Sequence, residues 1–199
     1  GPVLRIWHQY REDGKNDPEN AKLPPMEKLR DAAKFTDIRK VIVDKEKSTV
    51  FLADKEMSLD VGAVAKGYAT ELVVREIQEE GLISGIISAG GNVRVIGKPL
   101  DGIRERWGIG IQDPDKSILP DGSNILDTIF LNNASVVSSG DYERYYIVDD
   151  QVYHHIIDPK TLMPSRYYRA VTIVTEHSGL ADLLSTAIFV LPYKESRDL

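Results

Sequence analysis

Apolar residues recur along the chain with two different periods, and these periods predict its secondary structure. Over residues 63–80 they recur every three to five positions, which predicts an amphipathic helix that Gly81 ends. A second helix is predicted over 178–191, with its first residue, a serine, as N-cap and Pro192 after its end. A shorter helix is predicted over 25–35.

Short alternating or continuous apolar runs predict strands between these helices. Polar stretches at 11–25 and 115–124 predict surface loops, and Asp149-Asp150 predicts a hairpin turn. Because helices and strands interleave without a regular βαβ rhythm, the pattern favours an α+β fold over a doubly wound sheet. The predicted extended segments are 41–43, 50–52, 57–60, 85–88, 93–96, 107–111, 128–131, 135–138, 144–148, 152–157 and 171–175.

Composition and charge narrow the class of protein. The chain has 199 residues, enough for one domain or two small lobes, and its 42% hydrophobic and 28% charged residues are typical of a globular protein. A net charge of −6 argues against nucleic acid as a partner, because nucleic-acid-binding surfaces are basic. An anionic nucleotide stays compatible with that charge if a divalent cation is bound. The absence of cysteine excludes disulfides, zinc–thiolate sites and thiol nucleophiles.

Two glycine-containing segments are candidate binding sites for a phosphorylated or planar ligand. In the first, Asp60 ends an extended segment, Gly62 allows close backbone approach and a helix begins, which is a natural phosphate site. A strand–turn–helix with an aspartate cap explains the same residues without a ligand. In the second, Gly90 and Gly91 can let a ligand lie against the backbone, although an ordinary turn is the commoner explanation.

Two later segments carry groups suited to acid–base chemistry. Residues 138–145 combine hydroxyls, a glycine, carboxylates and aromatic rings in one predicted turn, which a plain hairpin could also contain. In 153–159, strand alternation would place His154 and His155 on opposite faces, so that only one can face a ligand. Histidine is the side chain most easily poised as a base near neutral pH, although a lone histidine is more often structural.

The C-terminal helix contains a candidate metal pair. Asp182 and Thr186 lie four positions apart, so they share one face of an otherwise apolar helix. A carboxylate and a hydroxyl are costly to bury there without a partner, and an oxygen-only pair suits a hard cation such as Mg²⁺. The alternatives are that both side chains face solvent or that Asp182 is tied to a neighbouring loop amide.

These segments, in this order, resemble the blocks of the FAD:protein FMN transferase family, also called the ApbE family. Residues 60–69, DVGAVAKGYA, resemble its D-x-G-x-x-A-K-G-Y-A block, and residues 89–92, AGGN, resemble its glycine pair. Residues 138–144, SSGDYER, and 155–159, HIIDP, resemble its S-G-x-Y-x-R and H-I-I-D-P blocks. Residues 181–186, ADLLST, resemble its A-D-x-x-x-T helix.

The resemblance implies a fold and a reaction. The fold is α+β, with mixed, largely antiparallel sheets and packed helices, T-fold-like, and with the flavin site in a cleft between lobes of a single domain over residues 1–199. The reaction is Mg²⁺-dependent transfer of the FMN moiety of FAD to a threonine hydroxyl of an acceptor protein, with release of AMP. The implied acceptor is a flavin-carrying subunit of a redox-driven sodium pump or of a related electron-transfer complex.

The resemblance also implies a location in the cell envelope. Family members are usually exported and often lipid-anchored to the outside of the cytoplasmic membrane, in the periplasm. The chain opens at Gly1 without an initiator methionine and stops at Leu199, soon after a predicted helix. We therefore expect it to be truncated at both ends, with the lipid signal in the missing N-terminal part. No apolar run in the sequence reaches the roughly 18 residues that a transmembrane helix needs.

Finally, the resemblance assigns roles to individual residues. His155 would be the general base, and Mg²⁺ would be held by Asp182, Thr186 and the carbonyl of Ala63, since alanine stands where some members have threonine. The residues that would bind FAD are Asp60, Lys66, Gly90, Gly91, Ser139, Gly140, Asp141 and Ile156.

Two alternative functions stay open, of which the pyrophosphatase would use the same site and the flavin-binding protein would keep the pocket but lack the metal pair. An FAD pyrophosphatase would hydrolyse FAD to FMN and AMP with water as the nucleophile, and a non-catalytic protein would only bind the flavin. The presence of both Asp182 and Thr186 favours an enzyme over a binding protein. Nothing in the sequence separates threonine from water as the acceptor.

Overall fold

The computed structural model describes residues 1–115 and 124–199. These residues fold as two compact units. Each unit combines helices with antiparallel strands, which confirms the predicted α+β class. As far as they are described, unit 1 contains residues 1–60 and 143–165, and unit 2 contains residues 61–142 and 166–199.

The described chain contains five α-helices and ten β-strands. The helices are α1 (Pro2–Asn16), α2 (Met26–Ala33), α3 (Ala65–Glu79), α4 (Ser178–Phe189) and α5 (Tyr193–Arg197). The strands are β1 (Val41–Asp44), β2 (Thr49–Leu52), β3 (Gly85–Ser88), β4 (Asn92–Ile96), β5 (Trp107–Gln112), β6 (Ile125–Leu131), β7 (Ser135–Gly140), β8 (Tyr145–Val148), β9 (Gln151–His154) and β10 (Ala170–Thr175).

Unit 1 has its core between α1, α2 and the β8–β9 hairpin. Trp7 is 2% exposed, and its ring lies 6.3 Å from that of Tyr153 and 6.5 Å from that of Tyr146. Its indole nitrogen donates to the carbonyl oxygen of Leu162 at 2.9 Å. Leu29 of α2 is fully buried in the same cluster. This packing fixes the hairpin whose second strand ends at His154.

The β1–β2 hairpin of unit 1 carries apolar side chains on its surface. Ile42 is paired with Phe51, and Val43 is paired with Val50. All four side chains are more than half exposed.

Unit 2 is built on a four-stranded antiparallel sheet. Its strand order is β10-β7-β4-β3, and α4 packs on β7 and β10 while α3 packs on α4 and β4. A separate β5–β6 hairpin contributes Ile109 to a cluster with Val95 and Val136. Alternation along β4 places Val95 on one face and Asn92 and Arg94 on the other. The apolar cluster and the helices therefore use opposite faces of the sheet.

The predicted helix and strand cores are confirmed, but the predicted loop over 11–25 is wrong in its first part. Helix α1 continues to Asn16 and has Val3 and Trp7 buried on one face. Its stability comes from burial against distant residues, which a local polar pattern does not reveal. The single-domain assignment stays a prediction, and most of the predicted loop over 115–124 lies outside the described residues.

Three details of the predicted elements are also corrected. The N-cap of α4 is His177 and not Ser178, because the His177 Nδ1 atom accepts hydrogen bonds from the amides of Gly179 and Leu180. Residues 57–60 form no strand and belong to none of the four sheets of the described chain. The strand predicted over 152–157 ends at position 154.

Candidate functional site

The predicted site residues fall in both units, and each group is described within its own unit. Unit 1 contains Asp60, His155 and Ile156. Unit 2 contains Ala63, Lys66, Gly90, Gly91, Ser139, Gly140, Asp141, Asp182 and Thr186.

In unit 2, the carboxylate of Asp182 lies at the start of α3. Its Oδ2 atom accepts a hydrogen bond from the amide of Gly67 at 2.8 Å, and the residue is only 4% exposed. In a regular helix that amide would donate to the carbonyl of Ala63, four residues earlier. Within the described residues, the Ala63 carbonyl accepts no hydrogen bond. The alternative that Asp182 faces solvent is therefore excluded, whereas the alternative that it is tied to a neighbouring backbone amide is what the structure shows.

Gly67 makes this arrangement possible because α3 and α4 meet there. A Cβ atom at Gly67 would overlap the carbonyl oxygen of Ser178 and would lie 2.6 Å from the Cβ of Asp182. Gly67 is buried, and no larger residue fits without moving a backbone. The sequence signal was the glycine in the D-x-G-x-x-A-K-G-Y-A block, but its packing role was not predicted.

Hydroxyl groups surround the same turn of α4. The hydroxyl of Ser139 lies 2.8 Å from that of Ser185 and 3.5 Å from that of Thr186. The Ser185 hydroxyl donates to the carbonyl of Asp182 at 2.9 Å. The structure thus brings Ser139 and Thr186 together and adds Ser185, which sequence reasoning missed.

The ligand chemistry of this region fits a hard divalent cation. No group of three or more histidine, cysteine, aspartate or glutamate side chains in the described ranges could hold a metal. The proposed ligand set in unit 2 is one carboxylate, from Asp182, with neutral oxygens from Thr186 and Ala63. Mg²⁺ is commonly bound through one or two carboxylates together with substrate phosphates, so this small set fits it.

Lys66 and the glycine pair form the second feature of unit 2. The Lys66 ammonium donates to the carbonyl of Gly90 at 2.8 Å, which joins the start of α3 to the turn before β4. Gly90 and Gly91 have φ angles of +48° and +79°, a conformation that residues with a side chain rarely adopt. Both glycines are exposed, and a Cβ on Gly90 would have open space around it. The turn therefore presents accessible backbone.

The end of β7 is held by a charged residue that sequence reasoning missed. The Arg169 guanidinium donates to the Asp141 carboxylate at 2.5 Å and to the Asp115 carboxylate at 2.6 Å. The Asp141 amide donates back to the Arg169 carbonyl at 3.0 Å. Gly140, just before it, is buried against the ring of Tyr142. Arg169 directly precedes a predicted strand, but only the strand pairing reveals which carboxylate it meets.

In unit 1, Asp60 lines a pocket of about 300 Å³. Ile157 and Pro159 of the H-I-I-D-P block line the same pocket, together with apolar side chains such as Leu59 and Phe35. Ligand sites are usually concave and mostly apolar, with a few polar groups that set orientation. Two blocks that are far apart in sequence are thereby joined at one pocket.

His154 is held by hydrogen bonds at both ring nitrogens. Its Nε2 atom donates to the carbonyl oxygen of Ser165 at 2.7 Å, and its Nδ1 atom accepts from the amide of Ile156 at 3.2 Å. This tautomer is assigned from the two partners. The residue is 7% exposed, which makes it a structural histidine.

His155 lies one residue beyond β9, so its orientation does not follow from strand alternation as predicted. Its Nδ1 atom is buried and has no hydrogen-bond partner among residues 1–115 and 124–199. Burial, and then the positive charge of Arg144, lower the pKa of His155 from 6.5 to about 3. The ring is therefore neutral at pH 7, with a free nitrogen that can accept a proton.

A buried carboxylate among neutral oxygens and an open glycine turn are features of a site for a phosphorylated ligand. Comparison with known proteins identifies the family. The sequence model of the ApbE family matches residues 1–199, so the chain belongs to the ApbE family.

Similar proteins carry a consistent name. An FAD:protein FMN transferase of Treponema pallidum is 34% identical over 190 residues, which cover 89% of this chain and 51% of that protein. One of Klebsiella pneumoniae is 31% identical over 192 residues, which cover 96% of this chain and 55% of that protein. The chain thus spans about half the length of these relatives.

Solved structures show the same fold. The ApbE protein of Thermotoga maritima has a TM-score of 0.82 and 36% identity, covering all of this chain and 60% of its own. The flavinyl transferase ApbE of Pseudomonas stutzeri has a TM-score of 0.74 and 26% identity, covering 98% of this chain and 56% of its own.

Proposed function

We propose that the protein transfers the FMN moiety of FAD to a threonine hydroxyl of an acceptor protein and releases AMP. Family membership and the name shared by its relatives support the reaction class. The observation that carries the proposal is the Asp182 carboxylate at the start of α3, where it accepts the Gly67 hydrogen bond in place of the Ala63 carbonyl.

In the proposed site, Asp182, Thr186 and the Ala63 carbonyl hold Mg²⁺. When bound, the ion supplies positive charge that neutralises the pyrophosphate of FAD. The chain's own contribution is to fix the carboxylate through the Gly67 amide before any ligand binds. The cost of ordering Asp182 is therefore met in the folded state.

The residues proposed to contact FAD offer a positively charged side chain, negatively charged side chains and exposed backbone. Lys66, held at the Gly90 carbonyl, offers an ammonium to a phosphate. Asp60 and Ile156 contribute in unit 1, where Asp60 lines an apolar pocket that suits a ring system. The other proposed contacts are Gly91, Ser139, Gly140 and Asp141.

His155 is the proposed general base. The threonine oxygen of the acceptor forms a bond to the phosphorus on the FMN side, and the bond from that phosphorus to the AMP oxygen breaks. His155 takes the hydroxyl proton, and AMP leaves with the electron pair. The lowered pKa keeps the imidazole neutral but makes it a weaker base than an ordinary histidine. A bound anionic pyrophosphate raises that pKa, since an opposite charge favours the protonated ring.

The acceptor and the location belong to the same proposal. We propose a flavin-carrying subunit of a redox-driven sodium pump, or of a related electron-transfer complex, as the acceptor. The proposed location is extracytoplasmic, in the cell envelope, through a lipid anchor. None of the helices in the described part of the chain is long and apolar enough to cross a membrane.

Mass measurement tests the reaction. The protein is incubated with FAD, Mg²⁺ and a candidate acceptor, and the masses of both proteins and the free nucleotides are measured. Transfer adds one FMN to the acceptor and releases AMP, and an acceptor whose target threonine is replaced by alanine gains nothing. Free FMN and AMP with an unchanged acceptor would instead identify an FAD pyrophosphatase. Unaltered FAD would identify a non-catalytic flavin-binding protein.

Asp182→Ala tests the metal site in the same assay. The variant should lose Mg²⁺-dependent cleavage, because the cation loses the one charged ligand of the proposed set. Thr186→Ala should weaken it less, since a hydroxyl is a neutral ligand. Normal turnover by Asp182→Ala in Mg²⁺ would show that the assigned ligands are wrong.

A further inference from the structure

Ser178, the first residue of α4, joins three parts of unit 2. Its amide donates to the carboxylate of Glu71 in α3 at 2.9 Å, and its hydroxyl donates to the side-chain oxygen of Asn92 at 2.7 Å. Its carbonyl lies so close to Gly67 that a Cβ there would overlap it. Ser178 and Asn92 are fully buried. These contacts tie α4 to α3 and to the strand after the glycine turn.

Ser178 lies one helical turn before Asp182 on the same face of α4. Anchoring the first turn fixes both the rotation of α4 and its position along its axis. The Asp182 carboxylate then reaches the Gly67 amide at 2.8 Å. A small shift of α4 would break that bond, because the two helices already touch at Gly67.

Glu71 supplies the acceptor for the Ser178 amide and is itself 7% exposed. It also forms ion pairs with Arg94 at 3.6 Å and with Arg75 at 3.5 Å. The hydrogen bond and the charge can be separated by substitution, since glutamine keeps a carbonyl oxygen and lacks the charge.

The Asn92 side chain depends on Ser178. Its Nδ2 atom is buried without a partner in the described part of the chain. Its Oδ1 atom is satisfied by the Ser178 hydroxyl. Removing that hydroxyl therefore leaves a fully buried amide without a hydrogen bond, which favours displacement of the first turn of α4.

We propose that Ser178 and Glu71 are positioning residues, which hold α4 so that Asp182 keeps its hydrogen bond to the Gly67 amide. Through Asp182 they set the affinity for the divalent cation, and this second step rests on the proposed function. Residues that orient a metal ligand typically change metal affinity by about 10–100-fold when they are substituted. Neither residue touches the cation in this proposal.

Four variants separate positioning from general stability. Ser178→Ala removes the hydroxyl, Glu71→Ala removes the acceptor, and Glu71→Gln keeps the acceptor without the charge. Val95→Ala is the matched control, because Val95 is fully buried in the same sheet but on the face away from the helices. Each is measured by thermal melting, by hydrogen exchange of the Gly67 amide in NMR spectra, and by Mn²⁺ titration followed by electron paramagnetic resonance.

Ser178→Ala and Glu71→Ala should speed exchange of the Gly67 amide and raise the Mn²⁺ dissociation constant about 10-fold or more. Glu71→Gln should have a lower melting temperature, since Arg94 loses its charged partner. Its Gly67 amide exchange and its Mn²⁺ affinity should stay near those of the wild type. Val95→Ala should lower the melting temperature alone. If Ser178→Ala does not fold, Ser178→Cys, of similar shape and weaker donor strength, is measured in its place.

Two results overturn the proposal. The first is an unchanged rate of hydrogen exchange at the Gly67 amide in both Ser178→Ala and Glu71→Ala. The second is that Val95→Ala changes Gly67 exchange and Mn²⁺ affinity as much as Ser178→Ala and Glu71→Ala do. That result would mean that any loss of stability changes these two quantities. A wild-type protein that binds no Mn²⁺ but shows faster Gly67 exchange in Ser178→Ala would sink the proposed metal site and support positioning.

Discussion

At the scale of the residue, His154 and His155 differ in what their ring nitrogens contact. Both nitrogens of His154 are engaged by the backbone, whereas Nδ1 of His155 has no partner in the described ranges. The resemblance to the H-I-I-D-P block selects the histidine whose Nδ1 atom has no hydrogen-bond partner in the described ranges. Sequence alternation could not supply this distinction, because the strand ends between the two residues.

His155→Ala should lower the rate of FMN transfer by about 10²-fold or more, within the usual range for a general base. FAD affinity should change little, because the base acts on the acceptor hydroxyl. His154→Ala should keep its rate but melt lower, since it removes the hydrogen bonds of the His154 ring with Ser165 and Ile156. Single-turnover transfer to saturating acceptor, with melting as the folding control, measures both. The reverse ranking of the two rates would reverse the assignment.

The lowered pKa of His155 also predicts how stability depends on pH. Folding favours the neutral ring, so the unfolded chain binds more protons below the ordinary pKa of 6.5. The contribution is therefore full above pH 6.5 and is lost as pH falls towards about 3. Urea midpoints are measured between about pH 7 and about pH 4. Over this range they should fall more for the wild type than for His155→Gln. Parallel curves for the two proteins would contradict the assigned burial.

At the scale of the element, the sequence predicts helices that have their own local pattern and misses contacts between residues that are far apart in the chain. Helices α3 and α4 show their own apolar periodicity, so their existence follows from the pattern. Helix α1 is held by packing of Trp7 on Tyr146 and Tyr153, far along the chain. The contact of α3 with α4 at Gly67 likewise joins residues more than a hundred positions apart. No local pattern encodes such pairings.

Gly67→Ala tests the α3–α4 contact. The added methyl group should cost about 1–3 kcal/mol, because it collides with the backbone of Ser178. It should also weaken Mg²⁺ binding, since the helices must move apart and Asp182 loses its bond. Ala69→Gly is the matched control, because it costs about 1 kcal/mol through helix propensity at an exposed position. Urea unfolding and Mg²⁺ titration distinguish them, and unaltered Mg²⁺ affinity in Gly67→Ala would argue against the contact's role.

At the scale of the whole molecule, charge makes ligand and metal interdependent. The chain has a net charge of −6, and FAD is itself anionic. In the proposed site, Mg²⁺ would lower this repulsion, so each ligand should raise the affinity for the other. The fold class followed from the sequence at this scale, while the predicted cleft site stays a prediction.

FAD binding should therefore tighten roughly fivefold or more when Mg²⁺ is added, a typical size for coupling between two ligands. Flavin fluorescence titrations with Mg²⁺ and with a chelator measure the two dissociation constants. Asp182→Ala should bind FAD with the weaker constant under both conditions. Equal constants for the wild type with and without Mg²⁺ would leave the cation without a role in flavin binding.

The exposed β1–β2 hairpin has a consequence for the protein in concentrated solution. Its two strands carry Ile42, Val43, Val50 and Phe51 on the surface, all residues of high β-propensity. Such edges can pair with another copy and start aggregation, while repulsion between copies that each carry a net charge of −6 opposes it. Storage at low ionic strength keeps that repulsion unscreened, so the protein should stay dispersed there and begin to scatter light as salt rises.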